Sequence, residues 1–222
     1  ACFPVPAHLT MAQAAAVPLA GLTAYRAVVT QGNVQKGMKV LVTGAGGGVA
    51  SWAATFAKVL GAEVYVTSRN DSTIESVREA GLFTGIKVEQ GWVKECLKTH
   101  GTMDCVIDGI GGEFLGDVLK LCAPGATIVC YGATLGSIPS FELARVFWKQ
   151  LRLIGSTMGS DTEFSAMLKC ISDHRLTPVI DSVRPLAEIA DAFSRMKQAQ
   201  HNGKIVVRIK AVSYTHLTLP TK

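Results

Sequence analysis

A glycine-rich loop that joins an apolar strand to a helix is the sequence feature that most constrains this fold. Residues 39–43 (KVLVT) are mostly apolar and β-branched, which predicts a buried strand. The loop, residues 44–50 (GAGGGVA), follows at once, and apolar residues then recur at helical spacing as far as Gly61. A strand that turns through glycines directly into a helix is typical of folds that bind nucleotides at the strand end.

Phosphate chemistry explains why this loop is built from glycine. A pyrophosphate has to approach the backbone closely there, and the following helix offers free N–H groups and the positive end of its dipole. In the pattern x-x-G-x-x-A, Gly47 takes the position of closest approach and Ala50 packs the helix against the strand. The residues predicted to contact the pyrophosphate are Gly44, Gly46, Gly47, Gly48 and Val49. The alternative is a flexible glycine turn that binds nothing.

The rest of the chain alternates strands with helices, so the predicted fold class is α/β with a doubly wound parallel sheet of the Rossmann type. A capping box at residues 10–13 predicts a first helix, and a second is expected over residues 19–31. Beyond the glycine loop, strands are predicted at 63–67, 105–108, 127–131, 153–156, 179–183 and 205–209, and helices at 72–80, 92–100, 113–122, 141–151 and 186–198.

The end of the second predicted strand favours NADPH over NADH as the cofactor. NAD-specific folds place an aspartate or glutamate there, about 20 residues after the loop, where it binds the adenosine ribose. Here the residues are Thr67, Ser68, Arg69 and Asn70, with no carboxylate among them. Ser68 can donate a hydrogen bond to a 2′-phosphate, and Arg69 can pair with its charge. The alternative is that Arg69 is only a solvated loop charge.

Composition and charge narrow the function classes further. Of the 222 residues, 48% are hydrophobic and the net charge is +5 with scattered lysines and arginines, so we expect a packed protein that does not bind nucleic acid. Pro18, Gly21 and Arg26 interrupt the longest apolar stretch, which predicts no membrane span. None of the six cysteines forms a CxxC pair, so free thiols in a reducing compartment, and a cytoplasmic location, are expected.

Four motifs in order along the chain resemble the medium-chain dehydrogenase/reductase superfamily. They are AAAVPLAGLTAY (residues 14–25), the loop 44–50, DGIGG (108–112) and GKIV (203–206). The nearest branch in sequence is that of the quinone oxidoreductase-like and zinc-type alcohol dehydrogenase-like reductases. The resemblance implies a Rossmann domain beside a GroES-like catalytic domain. It also implies an oxidoreductase that uses NADPH to transfer hydride to a quinone, an enone or another carbonyl-type small molecule.

The same resemblance implies that most of the catalytic domain lies outside this chain. Residues 1–15 would be the end of that domain, 16–175 the Rossmann NADP-binding domain, and 176–211 the return to the catalytic domain. Residues 212–222 (VSYTHLTLPTK) follow a complete strand and have no clear period, so we interpret them as a non-native tail, with an ordinary polar tail as the alternative. The chain by itself is expected to be inactive.

Positions that match the family motifs imply further contacts with the dinucleotide. They are Gly109 and Ile110 near the adenosine ribose, Gly132, Ala133 and Thr134 toward the nicotinamide, and Gly155, Ser156 and Thr157 in the last turn beside the cofactor. Thr23 and Tyr25 lie on the helix that faces the nicotinamide in the family. Tyr25 is the one hydroxyl considered as a catalytic acid, and simple helix packing is the alternative for both residues.

One departure from the family pattern argues against zinc. Zinc-dependent members place a cysteine ligand four residues before the threonine that matches Thr23, and this chain has Leu19 there. Leucine cannot ligate zinc, so no metal site and a zinc-independent reductase are expected. His100, His174 and His201 have no partner at ligand spacing and are interpreted as surface histidines.

Two alternatives to this function stay open, and a protein partner is implied. The chain could belong to a zinc-dependent alcohol dehydrogenase-like enzyme, or to a non-catalytic structural member of the superfamily that keeps the nucleotide site. Family dimers pair through the edge of the Rossmann sheet. A homodimer is therefore expected, with residues 129–134 and 151–158 near that edge, and the other expected partner is a small-molecule substrate.

Overall fold

The structure, a computed structural model, describes residues 2–209. Within this range, the helices are α1 (Met11–Ala15), α2 (Pro18–Tyr25), α3 (Gly48–Val59), α4 (Asp71–Ala80), α5 (Trp92–His100), α6 (Phe114–Leu121), α7 (Leu143–Trp148), α8 (Asp161–Asp173) and α9 (Ile189–Lys197). The strands are β1 (Lys39–Val42), β2 (Glu63–Ser68), β3 (Thr84–Lys87), β4 (Met103–Asp108), β5 (Cys122–Cys130), β6 (Arg152–Gly155), β7 (Ile180–Pro185) and β8 (Lys204–Arg208). The interpretation of residues 212–222 as a tail lies outside the described residues.

The central sheet confirms the predicted α/β fold class. Six parallel strands follow the order β3-β2-β1-β4-β5-β6, which is the order of a doubly wound Rossmann sheet. The order reverses at β1, because β2 lies on one side of it and β4 on the other. In folds of this kind, ligands bind beyond the carboxyl ends of the strands at the point of reversal. The glycine-rich loop follows β1 and therefore lies at that point.

Apolar side chains cover both faces of the sheet, which is why its strands read as nearly continuous hydrophobic runs. Successive residues of a strand point to opposite faces. In β1, Val40 and Val42 join the cluster under α3, whereas Leu41 joins the cluster under α5 and α6. Trp52 and Phe56 of α3 stack at a centroid distance of 5.2 Å and fill the first cluster. This packing fixes the helix that follows the glycine loop against the sheet.

Several elements differ from those predicted from the sequence. The sequence does not predict β3, because only Ile86 of its four residues is buried and no alternation is visible. Pro124 and Gly125 lie within β5 rather than in a turn before it, where the pairing register with β4 shifts between Met103 and Cys105. Such a shift is a β-bulge, a place where a strand tolerates proline and glycine.

The predicted helix over residues 19–31 consists of α2 and a π-helix at Arg26–Gln31, whose wider turn ends at Gly32. The helix predicted at 186–198 begins with a 3₁₀ turn, Leu186–Glu188, before α9. A π-helix inside a helical run often marks a functional or strained position. Here it lies between α2 and β1, and Ala27 and Val28 of this segment are fully buried in the core.

A second, two-stranded parallel sheet is formed by β7 and β8, with α9 between them in the chain. Large apolar side chains of α9 remain exposed, among them Phe193 at 62% and Met196 at 50%. None of the helices between residues 2 and 209 has the length and hydropathy of a bilayer-spanning segment.

Candidate nucleotide-binding site

A cleft of about 950 Å³ opens at the carboxyl ends of β1, β2, β4 and β5. Its volume lies near the upper end of the range of roughly 300–1,000 Å³ that is usual for small-molecule sites. Ten of the residues predicted from the sequence line it together: Gly44, Gly46, Gly47, Gly48, Val49, Ser68, Arg69, Gly109, Ile110 and Thr134. The loop after β1, the turn after β2 and the loop after β4 therefore converge on one space.

The glycine loop leaves room for a ligand at the start of α3. Gly47 is the N-cap of α3 and has no side chain to satisfy the N–H groups of the first helical turn. Those N–H groups have no partner within the helix, so they are available to an anion. A Cβ atom placed on Gly47 would lie 3.4 Å from its nearest atom, the Gly44 carbonyl oxygen, so protein packing does not require glycine there.

The turn after β2 presents donors and a positive charge instead of a carboxylate. Arg69 and Asn70 are exposed, and Ser68 is half-buried. The Asn70 side chain caps α4 by accepting a hydrogen bond from the Ser72 backbone N–H at 3.0 Å. The Thr67 hydroxyl accepts from the Gly44 N–H at 3.2 Å and ties this turn to the glycine loop. The turn thus holds Ser68 and Arg69 beside the cleft.

Asp108 organises the loop after β4 and does not face a ligand freely. It is fully buried and accepts hydrogen bonds from the Thr43 hydroxyl at 2.6 Å and from the Gly111 N–H at 3.0 Å. The Thr43 hydroxyl in turn accepts from the Gly109 N–H at 3.2 Å. This network fixes the backbone of Gly109 and Ile110 at the cleft. The contacts of Asp108 therefore support a structural role for this carboxylate.

Tyr131, at the end of β5, is a lining residue that the sequence does not single out. Its ring lies directly over Gly109, where an added Cβ would be 2.5 Å from the ring carbons. Burial, and secondarily the nearby Asp108, raise the pKa of the Tyr131 hydroxyl. The hydroxyl therefore stays protonated at neutral pH and can donate a hydrogen bond but cannot act as a base.

Seven predicted residues do not line this cleft: Thr23, Tyr25, Gly132, Ala133, Gly155, Ser156 and Thr157. The Thr23 hydroxyl donates to the Leu19 carbonyl within α2 at 2.8 Å, and the Tyr25 ring packs edge-on against Phe56 at 5.4 Å. For these two, the contacts among residues 2–209 are those of helix packing. Of the others, the Ser156 hydroxyl is buried and has no hydrogen-bond partner in the described part of the chain.

The C-terminal part of the chain supplies two lining residues, Ala199 and His201, that the sequence does not predict. Of the three histidines interpreted as surface residues, His201 is half-buried in the cleft wall. His100 is also half-buried, against the Tyr65 ring at 5.0 Å, whereas His174 is exposed. No local pattern identifies His201, because its place in the cleft depends on contacts with a distant loop.

The described residues do not fit a zinc site. Between residues 2 and 209, no three His, Cys, Asp or Glu side chains are grouped as metal ligands. Leu19, which stands where the family resemblance places a cysteine ligand in zinc-dependent members, is 58% exposed. Cys105 and Cys122 are buried, and this burial raises the pKa of each thiol to about 12. Both are therefore protonated at neutral pH and are poor ligands and poor nucleophiles.

Comparisons with known proteins agree on one family. The sequence profile described as "Zinc-binding dehydrogenase" matches residues 48–173. Among curated proteins, the zinc-type alcohol dehydrogenase-like protein YogA of Leptosphaeria maculans is 34% identical over 92% of this chain. The chain spans only 60% of the length of that relative.

Solved structures give the same picture. A crystal structure of an NAD-dependent alcohol dehydrogenase superposes with a TM-score of 0.87 at 32% identity, over 93% of this chain and 61% of the other. The 2-octenoyl-CoA carboxylase reductase CinF, solved in complex with NADP and 2-octenoyl-CoA, superposes with a TM-score of 0.86 at 26% identity, over 93% of this chain and 52% of the other. The similar structures thus include an NAD-dependent enzyme and an enzyme solved with NADP.

Proposed function

Because this chain belongs to the zinc-binding dehydrogenase family, we propose that it forms the nucleotide-binding part of an NADPH-dependent oxidoreductase. The observation that carries this proposal is the convergence of the glycine loop and the turn at Ser68–Asn70 on one cleft. The substrate we propose is a quinone, an enone or another carbonyl-type small molecule. The relative that was solved with 2-octenoyl-CoA is consistent with an electron-poor, conjugated substrate.

Each part of the cleft has a role in this proposal. The N–H groups at the start of α3 bind the pyrophosphate, with Gly47 at the point of closest approach. Ser68 donates to the 2′-phosphate and Arg69 pairs with it. The loop at Gly109 and Ile110, held by Asp108, supports the adenosine ribose. Bound NADPH supplies a hydride to the substrate, and the residues of this chain orient it.

The acidic side chains that line the same cleft do not change this assignment. Glu113 and Asp117 belong to the α6 side of the cleft, and Asp117 is already paired with Lys120 at 2.8 Å. Asp117 also accepts from the Trp92 indole at 3.3 Å. A carboxylate at the end of β2 would repel a 2′-phosphate, but these two follow β4 in the chain.

Zinc independence is part of the proposal and rests on Leu19 and on the donor set described above. Hydride transfer is proposed for a form of the protein that also carries the part of its relatives that this chain does not span. Its NADPH oxidation with an enone or quinone is expected to persist after dialysis against a chelator. Activity that appears only when zinc is added back would contradict this part of the proposal.

The cofactor preference can be tested with Arg69→Ala. We expect the chain to bind NADPH more tightly than NADH, because only NADPH offers a phosphate to Ser68 and Arg69. Removal of Arg69 should weaken NADPH binding on the order of tenfold or more, the usual effect of losing one charge-assisted hydrogen bond, and should leave NADH binding unchanged. Nicotinamide fluorescence, titrated against the purified chain, measures both affinities.

Arg78→Ala is the matched control for this titration. Arg78 lies on α4, the helix that follows Arg69, but it is exposed outside the cleft and pairs with Glu75 at 3.8 Å. Arg78→Ala removes the same positive charge as Arg69→Ala. An equal loss of NADPH affinity in both variants would therefore indicate general electrostatic attraction. A chain that is folded by circular dichroism and binds neither nucleotide would overturn the proposed function.

A further inference from the structure

The C-terminal loop at residues 199–203 packs directly against the glycine-rich loop. The Gly203 backbone N–H donates to the Gly46 carbonyl at 2.9 Å. A Cβ placed on Gly46 would lie 3.2 Å from the His201 carbonyl oxygen. Ala199 and His201 line the same cleft as the glycine loop. The wall of the cleft is therefore completed by a segment from the other end of the chain.

Specific contacts hold this loop in place. Asp181 of β7 accepts two hydrogen bonds from the Arg195 guanidinium, each 2.9 Å long, and a third from the Asn202 N–H at 3.0 Å. Gly203 has a φ of +92°, and a Cβ added to it would lie 2.4 Å from the Val179 carbonyl oxygen. A side chain at 203 would displace the loop. The position of His201 is thus set by the fold.

His201 lies beside the turn that we assign to the 2′-phosphate. The Thr73 hydroxyl, in the first turn of α4, is 3.9 Å from the same point on Gly46 that the His201 carbonyl approaches. Arg69, Asn70 and Thr73 line the cleft together with His201. The first turn of α4 and His201 therefore both lie next to Gly46 of the glycine loop.

The imidazole of His201 keeps unused hydrogen-bonding capacity. Its Nδ1 atom is buried and has no hydrogen-bond partner among residues 2–209. A polar atom buried without a partner is costly, and in native proteins such an atom usually has a functional reason. His201 lines a cleft in which a phosphate would offer several acceptor oxygens.

We propose that His201 donates a hydrogen bond to the 2′-phosphate of NADPH and so shares this phosphate with Arg69. This inference rests on the proposed function and adds a binding residue to it. Selection for the 2′-phosphate is then shared between the turn after β2 and the C-terminal loop. The chemical class recognised by His201 is an adenosine that carries a 2′-phosphate.

The test uses the smallest ligands that differ in this phosphate, adenosine 2′,5′-bisphosphate and 5′-AMP. Isothermal titration calorimetry on the whole chain compares the wild type with His201→Ala and His201→Gln. We expect His201→Ala to lower the affinity for the bisphosphate roughly tenfold and to leave the affinity for AMP unchanged. The glutamine amide can still donate a hydrogen bond, so His201→Gln should keep part of the affinity. His174→Ala, at an exposed histidine, is the control and should change neither ligand.

The outcomes separate this inference from the proposed function. Equal weakening of both ligands by His201→Ala would assign His201 to the adenine, the ribose or the 5′-phosphate, which the two ligands share. Unchanged binding would mean that His201 contacts neither ligand. Either result overturns the inference, even where Arg69→Ala still lowers NADPH affinity. If the wild type does not prefer the bisphosphate to AMP, the proposed preference for NADPH fails as well. If His201→Ala does not fold, proton NMR of the wild type provides the test. The imidazole resonances of His201 are assigned by their absence from the spectrum of His201→Gln. They are expected to shift when the bisphosphate is added and not when AMP is added.

Discussion

At the residue scale, Gly47 and Gly109 both line the cleft but require glycine for different reasons. Gly47 has φ −82° and ψ 146°, a conformation that any residue adopts, and an added Cβ meets nothing closer than 3.4 Å. Gly109 lies under the Tyr131 ring, where an added Cβ would be 2.5 Å from ring atoms. An added methyl group at 109 would force the Tyr131 ring to move, whereas at 47 it would meet no protein atom closer than 3.4 Å.

This contrast makes Gly47→Ala a test of the pyrophosphate site. The variant is expected to fold, with a small loss of stability of roughly 0.5–1 kcal/mol, because the methyl group has space but alanine is a poorer N-cap than glycine. Its affinity for NADPH and NADH should fall equally, by roughly tenfold or more, because the methyl group occupies the place of closest phosphate approach. Thermal unfolding and fluorescence titration measure the two effects.

Gly109→Ala provides the opposite control at the same cleft. Its methyl group overlaps Tyr131, so we expect a loss of stability of about 1–3 kcal/mol, as is usual for overpacking a filled site. If Gly47→Ala bound both nucleotides as well as the wild type, the loop would be a turn without a phosphate ligand.

At the element scale, the sequence predicts the elements whose signals are local. The β1–α3 unit follows from an apolar run, a glycine cluster and a helical period, and α5 begins and ends at the predicted residues 92 and 100. The Thr10–Gln13 capping box and the left-handed Gly81 that ends α4 are also local signals, and both are present. β3 and the bulge in β5 carry no such signal, because they depend on pairing with neighbouring strands.

The Asp181–Arg195 pair gives the β7–α9–β8 unit a pH-dependent stability. The hydrogen bonds from the Arg195 guanidinium hold the pKa of Asp181 well below its usual range. A carboxyl group with a lowered pKa stabilises the folded state above its unfolded pKa of about 3.9, and this contribution is lost as the pH falls further. Asp181→Asn should therefore unfold at a lower temperature than the wild type at pH 7, and the gap should narrow below about pH 4.

Thermal unfolding of the wild type and of Asp181→Asn from pH 7 to below pH 4 measures this difference in unfolding temperature. The exposed pair Lys169–Asp173 of α8, at 2.7 Å, offers a comparison, because Asp173→Asn should have little effect at any pH. A gap between wild type and Asp181→Asn that stays constant from pH 7 to below 4 would argue that the pair contributes nothing through its charge.

At the scale of the whole molecule, β6 is the strand that ends the sheet on the side away from β3. The expected homodimer through the sheet edge stays a prediction, and the strand order limits which of the predicted residues can lie at that edge. β5 is paired with β4 and β6 on its two sides, so Val129 is internal, and of β5 and β6 only β6 lies at an edge of the sheet. Leu153 of β6 is 40% exposed, and Trp148 of the preceding helix is 80% exposed.

Leu153→Glu should therefore convert a dimer into monomers without loss of folding. Light scattering after size-exclusion chromatography is expected to give twice the mass of one chain for the wild type and a single mass for the variant. Phe193→Glu, at an exposed position on α9, is the matched control and should remain dimeric. A wild-type chain that is monomeric at high concentration would refute the dimer.

The candidate site also shows which part of a binding site the sequence can predict. Phosphate-binding loops are contiguous, so residues 44–49 and 68–69 can be read directly from the chain. Tyr131 and His201 belong to the cleft only through packing against Gly109 and Gly46, and no spacing along the sequence reveals such contacts. Asp108 lies between these cases. Its place at a strand end is predicted, but the hydrogen bonds that it accepts from Thr43, Ile110 and Gly111 are not.

The hydrogen bond from Gly203 to Gly46 has a consequence for the time course of synthesis. A ribosome releases the N terminus first, so the glycine-rich loop emerges long before the residues that complete its wall. The sheet around β1 can form early from neighbouring segments, but the cleft gains its last wall only when β8 has left the exit tunnel. Contacts between such distant segments form slowly, since a long loop must close before they stabilise anything. A nascent chain would therefore acquire its fold before its full affinity for the dinucleotide.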